Sequence, residues 1–91
     1  MSKIDIKRKL STALELPKDV TLGLPTISIT GDEEVIVTNH KGILEYTGGV
    51  VRLSTILGGI RVLGTNLILK EMTAEIVVIT GKINTVGWEV G

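Results

Sequence analysis

Ile43-Leu44-Glu45-Tyr46-Thr47-Gly48-Gly49-Val50-Val51-Arg52-Leu53 decides the fold. Two short stretches rich in aliphatic and β-branched residues flank a glycine pair. Glycine adopts positive φ without steric penalty, as tight hairpin turns require. The second stretch alternates apolar and charged residues, Val51-Arg52-Leu53, which is the period of a strand with one buried face. The whole stretch therefore reads strand, turn, strand.

The same unit recurs on both sides. Gly31, Gly48, Gly64 and Gly81 follow one another at intervals of 17, 16 and 17 residues. Each comes after an aliphatic stretch: Ile27-Ser28-Ile29-Thr30, Ile43 to Thr47, Ile60-Arg61-Val62-Leu63 and Ile76-Val77-Val78-Ile79-Thr80. Each precedes another: Val35-Ile36-Val37, Val50 to Leu53, Asn66-Leu67-Ile68-Leu69, and Lys82-Ile83 with Val86 beyond. Gly31-Asp32, Gly48-Gly49 and Gly64-Thr65-Asn66 read as hairpin turns, while Asn39-His40-Lys41-Gly42, Gly58-Gly59 and Glu71-Met72-Thr73-Ala74 separate the units. The spacing predicts an all-β domain, a small antiparallel β-sandwich of about seven or eight short strands. A fixed repeat also suits a short β-solenoid, which stays open as the alternative.

Residues 1–24 read as an N-terminal arm and connector, and 25–91 as the β-domain. Ile6, Leu10, Ala13 and Leu14 fall at helical spacing, and Pro17 closes the segment. Lys3, Lys7, Arg8 and Lys9 crowd its first half, where the helix dipole does not favour cations. The arm is expected to be a short helix or irregular. With 91 residues and no cysteine, the chain is one domain held by packing rather than by disulfides or thiolate metal sites. Hydrophobic residues make up 43 % but aromatics only 2 %, so the core is aliphatic, and the surplus of aliphatics points to a subunit interface in a homo-oligomer. Ten basic residues balance ten acidic ones, which with the scarcity of rings argues against nucleic-acid binding. No apolar run spans a bilayer, and the first residues lack the apolar core of a signal peptide, so a cytoplasmic protein is expected.

Candidate chemistry is sparse. His40 is the only histidine. It has no His or Cys partner for a metal and no legible base-and-orienter set for catalysis, so its Asn-His-Lys-Gly setting reads first as a turn. Asp32-Glu33-Glu34 lacks the alternate spacing of a calcium loop, and the paired glycines lead into strands rather than opening a helix for phosphate. No catalytic residue, cofactor, metal or small-molecule substrate is expected. Arg52, Arg61 and Lys70 lie nine residues apart among aliphatics, which in strands places them on the outward face as a line of cations suited to an acidic partner or lipid headgroups. Trp88 is the one large ring, suited to capping the core or anchoring an interface. Trp88, Arg52, Arg61 and His40 form the candidate partner surface.

The ordered motifs Glu15-Leu16-Pro17-Lys18-Asp19-Val20, Leu24-Pro25-Thr26-Ile27-Ser28-Ile29-Thr30-Gly31, Asn39-His40-Lys41-Gly42-Ile43-Leu44, Gly64 ahead of Leu67-Ile68-Leu69-Lys70, and Gly81-Lys82-Ile83 resemble the YabP/YqfC family of sporulation proteins, from about Leu16 to Val86. The resemblance implies a non-enzymatic role in endospore formation in the mother cell, peripheral at a membrane. It also implies a membrane-protein partner of the YqfD type. A self-assembling scaffold of the spore envelope is the alternative function.

Overall fold

The computed structural model describes residues 23–89. The expected N-terminal helix over residues 3–16 lies outside the described residues. Six strands follow in order: β1 (Thr26–Thr30), β2 (Glu34–Thr38), β3 (Gly42–Tyr46), β4 (Val50–Thr55), β5 (Gly58–Met72) and β6 (Ile76–Glu89). They form one antiparallel sheet in the order β1-β2-β6-β5-β4-β3. The fold is thus all-β, and the antiparallel pairing is not that of a solenoid, whose stacked coils run parallel.

The expectation of seven or eight short strands is corrected to six, two of them long. Gly64 and Gly81 do not reverse the chain; they lie inside β5 and β6, which pair with each other along nearly their full length. Both are held there by close backbone approach. A Cβ on Gly64 would stand 2.1 Å from the Lys82 carbonyl oxygen, and one on Gly81 would stand 2.6 Å from that of Asn66. Gly81 also has φ +135°, a conformation that favours glycine. Around these glycines the β5–β6 register shifts at Leu63/Gly64, Thr65/Ile68 and Leu69/Glu71, and Asn66 takes a left-handed φ of 55°. Such bulges bend a strand and tighten its twist. Here they coil the long hairpin at its middle.

The bend divides the sheet. β2 pairs with the first part of β6 (Glu34↔Thr80 to Thr38↔Ile76), and β4 pairs with the first part of β5 (Val50↔Leu63 to Thr55↔Gly58). The tips of the two short hairpins then close on the bend. Gly81 and Ile83 donate their N–H groups to the carbonyls of Glu33 (3.3 Å) and Asp32 (2.7 Å), while Gly64 and Leu67 donate to those of Gly49 (3.1 Å) and Gly48 (2.8 Å). The glycines at 31 and 48 are turn residues, as their sequence setting predicts, and those at 64 and 81 receive the turns.

Alternation decides what is buried. Val35 and Val37 of β2, Val51 and Leu53 of β4, Ile60, Val62 and Leu67 of β5, and Val77, Ile79 and Ile83 of β6 make one aliphatic core. It draws on both sides of the bend, so the single sheet curls around a common interior instead of stacking two separate sheets. Each fully buried side chain among them contributes roughly 1.5–3 kcal/mol of transfer free energy.

Candidate functional site

The outward face of β3, β4 and the first part of β5 carries Glu45, Arg52 and Arg61. Arg52 stands directly across from Arg61 on one side and Glu45 on the other. Two arginines face to face repel. Glu89, at the end of β6, resolves the conflict. Its Oε2 accepts from Arg52 Nε at 2.7 Å and pairs with Arg61 Nε at 3.2 Å, and its Oε1 accepts from Arg52 Nη2 at 3.1 Å. Glu45 adds a looser contact to Arg52 Nη1 at 3.4 Å. The Arg52–Glu89 fork is the planar two-point geometry that guanidinium and carboxylate favour.

Gly59 makes room for it. Glu89 is the cross-strand partner of Gly59, where a Cβ would lie 2.6 Å from the Glu89 carboxylate oxygen. The hydrogen bond from Arg52 outweighs the opposing effect of burial and, with the charges of Arg52 and Arg61 adding to it, holds the Glu89 carboxyl below its ordinary range. Glu89 raises the Arg52 guanidinium in return. The expected outward line of cations is therefore a neutralised ladder of Glu45, Arg52, Glu89 and Arg61. Lys70 does not join it, because the bulges between Leu63 and Glu71 shift its register away from Arg61.

Trp88 stands opposite the buried Ile60 but at the flank of the sheet, 47 % exposed. It rims a depression of about 250 Å³ formed with Arg61, Leu63, Thr85 and Gly87. At the same end, Ile56 and Leu57 project from the β4–β5 turn, 49 % and 60 % exposed. Thr55 fixes that turn: its hydroxyl donates to the Gly58 carbonyl at 2.7 Å and accepts the Leu57 N–H at 3.0 Å. Arg52 and Arg61 thus lie together on the outward face. Trp88, paired with Ile60, starts from the core-facing side and meets Arg61 at the rim of the depression. Ile56 and Leu57 share that end of the sheet and were passed over by sequence reasoning.

His40 is elsewhere. It lies on the crossover from β2 to β3, buried, and both ring nitrogens are engaged. Nδ1 accepts the Gly42 N–H at 3.0 Å, so Nε2 carries the proton and donates to the Thr73 carbonyl at 2.9 Å. The adjacent Asn39 donates its backbone N–H to the Glu75 carbonyl and its Nδ2 to that of Leu24. His40 clasps the crossover to the β5–β6 turn, beside an open depression of about 650 Å³ that also touches Ile43, Met72 and Thr73. It takes no part in the surface at Trp88.

Asp32, the first of the acidic run, is paired with Lys82, which holds its carboxyl below the ordinary range through a hydrogen bond and charge. Among the described residues no three His, Cys, Asp or Glu side chains converge as a metal site requires, and no helix is long and apolar enough to cross a membrane. The roles of Glu89 and Glu45 were hidden in the sequence, since Glu89 meets Arg52 across 37 residues. The usable signal is Gly58-Gly59 opening a strand, which leaves a gap on one face for a neighbour's side chain.

The fold and this site define a small antiparallel β domain with an ion-paired outward face and an exposed tryptophan and aliphatics at the same end of the sheet. The family model described as the YabP family matches residues 23–90, and the chain belongs to that family. It is 33 % identical over 81 residues, 89 % of this chain and 87 % of the other, to the uncharacterized protein YqfC of Bacillus subtilis (strain 168). No solved structure matches it.

Proposed function

We propose that the chain is a non-enzymatic protein of endospore formation that binds a membrane protein of the YqfD type at the membranes of the developing spore. It would act from the mother-cell cytoplasm, peripheral to the membrane and as a homo-oligomer. Family membership motivates the sporulation setting. The observation that carries the binding role is the exposure of Trp88, Ile56 and Leu57 at the same end of the sheet as the Arg–Glu ladder. An exposed ring and aliphatics beside satisfied charges have the composition of an interface centre and its rim. The ladder stiffens the surface without presenting an unpaired charge to be desolvated.

The test is co-purification of the full chain with the membrane protein in detergent. Leu57→Glu and Trp88→Ala should each weaken capture at least tenfold, with Leu57→Glu leaving the thermal transition unchanged because the side chain is exposed. Absence of capture by the wild type, or capture indifferent to both substitutions, would refute the reading.

A further inference from the structure

Among the described residues most free flanks of this sheet are guarded, the exceptions being β1 and the end of β6 from Asn84 to Glu89, which closes on the charge of Glu89. The outer edge of β3 carries a register irregularity between Ile43 and Glu45 and a charge at Glu45. Beyond Leu63 the flank of β5 is taken by the β3–β4 hairpin: Gly64, Leu67 and Leu69 donate to Gly49 O, Gly48 O and the Tyr46 hydroxyl. Beyond Thr80 the flank of β6 meets the β1–β2 tip through Gly81 and Ile83. Among the described residues β1 has none of these protections. Thr26-Ile27-Ser28-Ile29-Thr30 has no charge, no proline and an unbroken register with β2. Natural proteins rarely leave such an edge unless it is paired.

The direction of its hydrogen-bonding groups follows from the register. Asn39 and Gly81 bond across to Glu75 and Glu33, so the odd-numbered residues of β2 and its extensions face β6. The even-numbered ones, Glu34, Ile36 and Thr38, therefore face β1 and bond Thr30, Ser28 and Thr26. Ile27 and Ile29 are left with N–H and C=O directed outward. Their side chains share the core-facing side with Val37 and Val35, their cross-strand partners. Ile29 is 55 % exposed, although Val35 beside it is fully buried.

The strand is also a palindrome, Thr-Ile-Ser-Ile-Thr, centred on Ser28. We propose that β1 pairs antiparallel with β1 of a second copy about a two-fold axis at Ser28, joining two sheets into one. In that register Ile27 meets Ile29 of the other copy as hydrogen-bonded pairs, Thr26 meets Thr30, and Ser28 meets Ser28 as the non-hydrogen-bonded pair on the axis. Every outward N–H and C=O of Ile27 and Ile29 finds a partner. Each Ile29 is covered by the other copy's Ile27, extending the core rows Val37–Ile27 and Val35–Ile29 through the interface. The contact is isologous and closes at two copies. It uses a different edge from the surface at Trp88 and stands whether or not that surface binds a partner.

The full chain has no cysteine, so a single introduced thiol reads the register. Residues in a non-hydrogen-bonded pair have Cα atoms about 4.5 Å apart, within disulfide reach. Under mild oxidation Ser28→Cys should give a covalent dimer at least tenfold faster than Thr30→Cys, whose counterpart is Thr26. By light scattering after gel filtration the wild type should have the mass of a dimer. Ser28→Lys, which sets two ammonium groups against each other on the axis, should be monomeric with unchanged far-ultraviolet circular dichroism. A monomeric wild type, equal cross-linking of the two cysteine variants, a Ser28→Lys variant that keeps the dimer mass, or a ladder of higher masses would each overturn the proposal.

Discussion

Replacing the four spaced glycines by alanine, one at a time, separates turn glycines from bend glycines. At Gly48 a Cβ meets nothing within 4 Å and φ is not positive, so Gly48→Ala should change stability by no more than about 0.5 kcal/mol. At Gly31 the space is open but φ is +52°, and the left-handed conformation alone costs an L residue about 1–2 kcal/mol. Gly81 adds steric overlap to a positive φ, since its Cβ would lie 2.6 Å from Asn66 O and 3.0 Å from Leu67 Cα. Overlap in a packed interior costs about 1–3 kcal/mol, so Gly81→Ala should lose about 2–5 kcal/mol. Gly64→Ala, with its Cβ 2.1 Å from the Lys82 backbone oxygen, should lose about 3 kcal/mol or more by overlap alone. A chain of 91 residues has about 5–14 kcal/mol in all, at roughly 0.05–0.15 kcal/mol per residue. The bend variants should therefore lose a large share of the total stability. Urea unfolding followed by circular dichroism and by the single tryptophan, Trp88, gives the order Gly48 < Gly31 < Gly81 and Gly64. A Gly64→Ala variant as stable as Gly48→Ala would refute the close approach of β5 and β6 on which the bend rests.

Two further outcomes follow from the side-chain network. Glu89 has a folded-state pKa below its ordinary 4.5, so its contribution is complete above about pH 4.5 and fades as pH falls through the lowered folded value. Glu89→Gln should lower Tm at neutral pH, also because Arg52 and Arg61 then face each other unbridged, and its gap from the wild type should close in acid; a gap constant from pH 7 to pH 3 would contradict the ladder. His40→Ala strands the Gly42 N–H and the Thr73 carbonyl and should cost about 1–3 kcal/mol in urea unfolding. His40→Gln, which can replace one of the two hydrogen bonds, should cost less, and equal losses would argue against the clasp.

Strands and most turns were legible because their signals are local. Alternation at Val51-Arg52-Leu53 and the glycines of the 31–32 and 48–49 turns place β4 and two hairpin tips without reference to any distant residue. Gly64 and Gly81 carry the same local signal with a different meaning. A glycine at a turn supplies a φ that other residues resist, whereas a glycine inside a strand admits a neighbouring backbone, and only the neighbour distinguishes the two. That neighbour is the Lys82 carbonyl for Gly64 and the Asn66 carbonyl for Gly81, each fixed by the β5–β6 register. The candidate surface followed the same division. Arg52 and Arg61 were rightly placed on one face by parity, but their neutralisation by Glu89 and the loss of Lys70 from the line depend on pairings and bulges that the one-dimensional spacing does not contain. Burial of His40 likewise comes from Thr73, far along the chain.

The 17-16-17 spacing acquires a physical reason once tips and bends are matched. The turn at Gly31-Asp32-Glu33 docks on Gly81 and Ile83, and the turn at Gly48-Gly49 docks on Gly64 and Leu67. Each short hairpin therefore pairs edge to edge with one arm of the long hairpin and plugs its tip into the glycine bend of the arm it pairs with: β2 with β6 and Gly81, β4 with β5 and Gly64. For both to fit, the distance along the chain from hairpin tip to strand end must match the distance from arm start to bend. Five residues of β2 cover β6 from Ile76 to Thr80, ending beside Gly81, and six of β4 cover β5 from Gly58 to Leu63, ending beside Gly64. The periodicity is thus a matching of lengths around one curled sheet rather than a stack of repeats. Neither tip reaches the outer edge of β1.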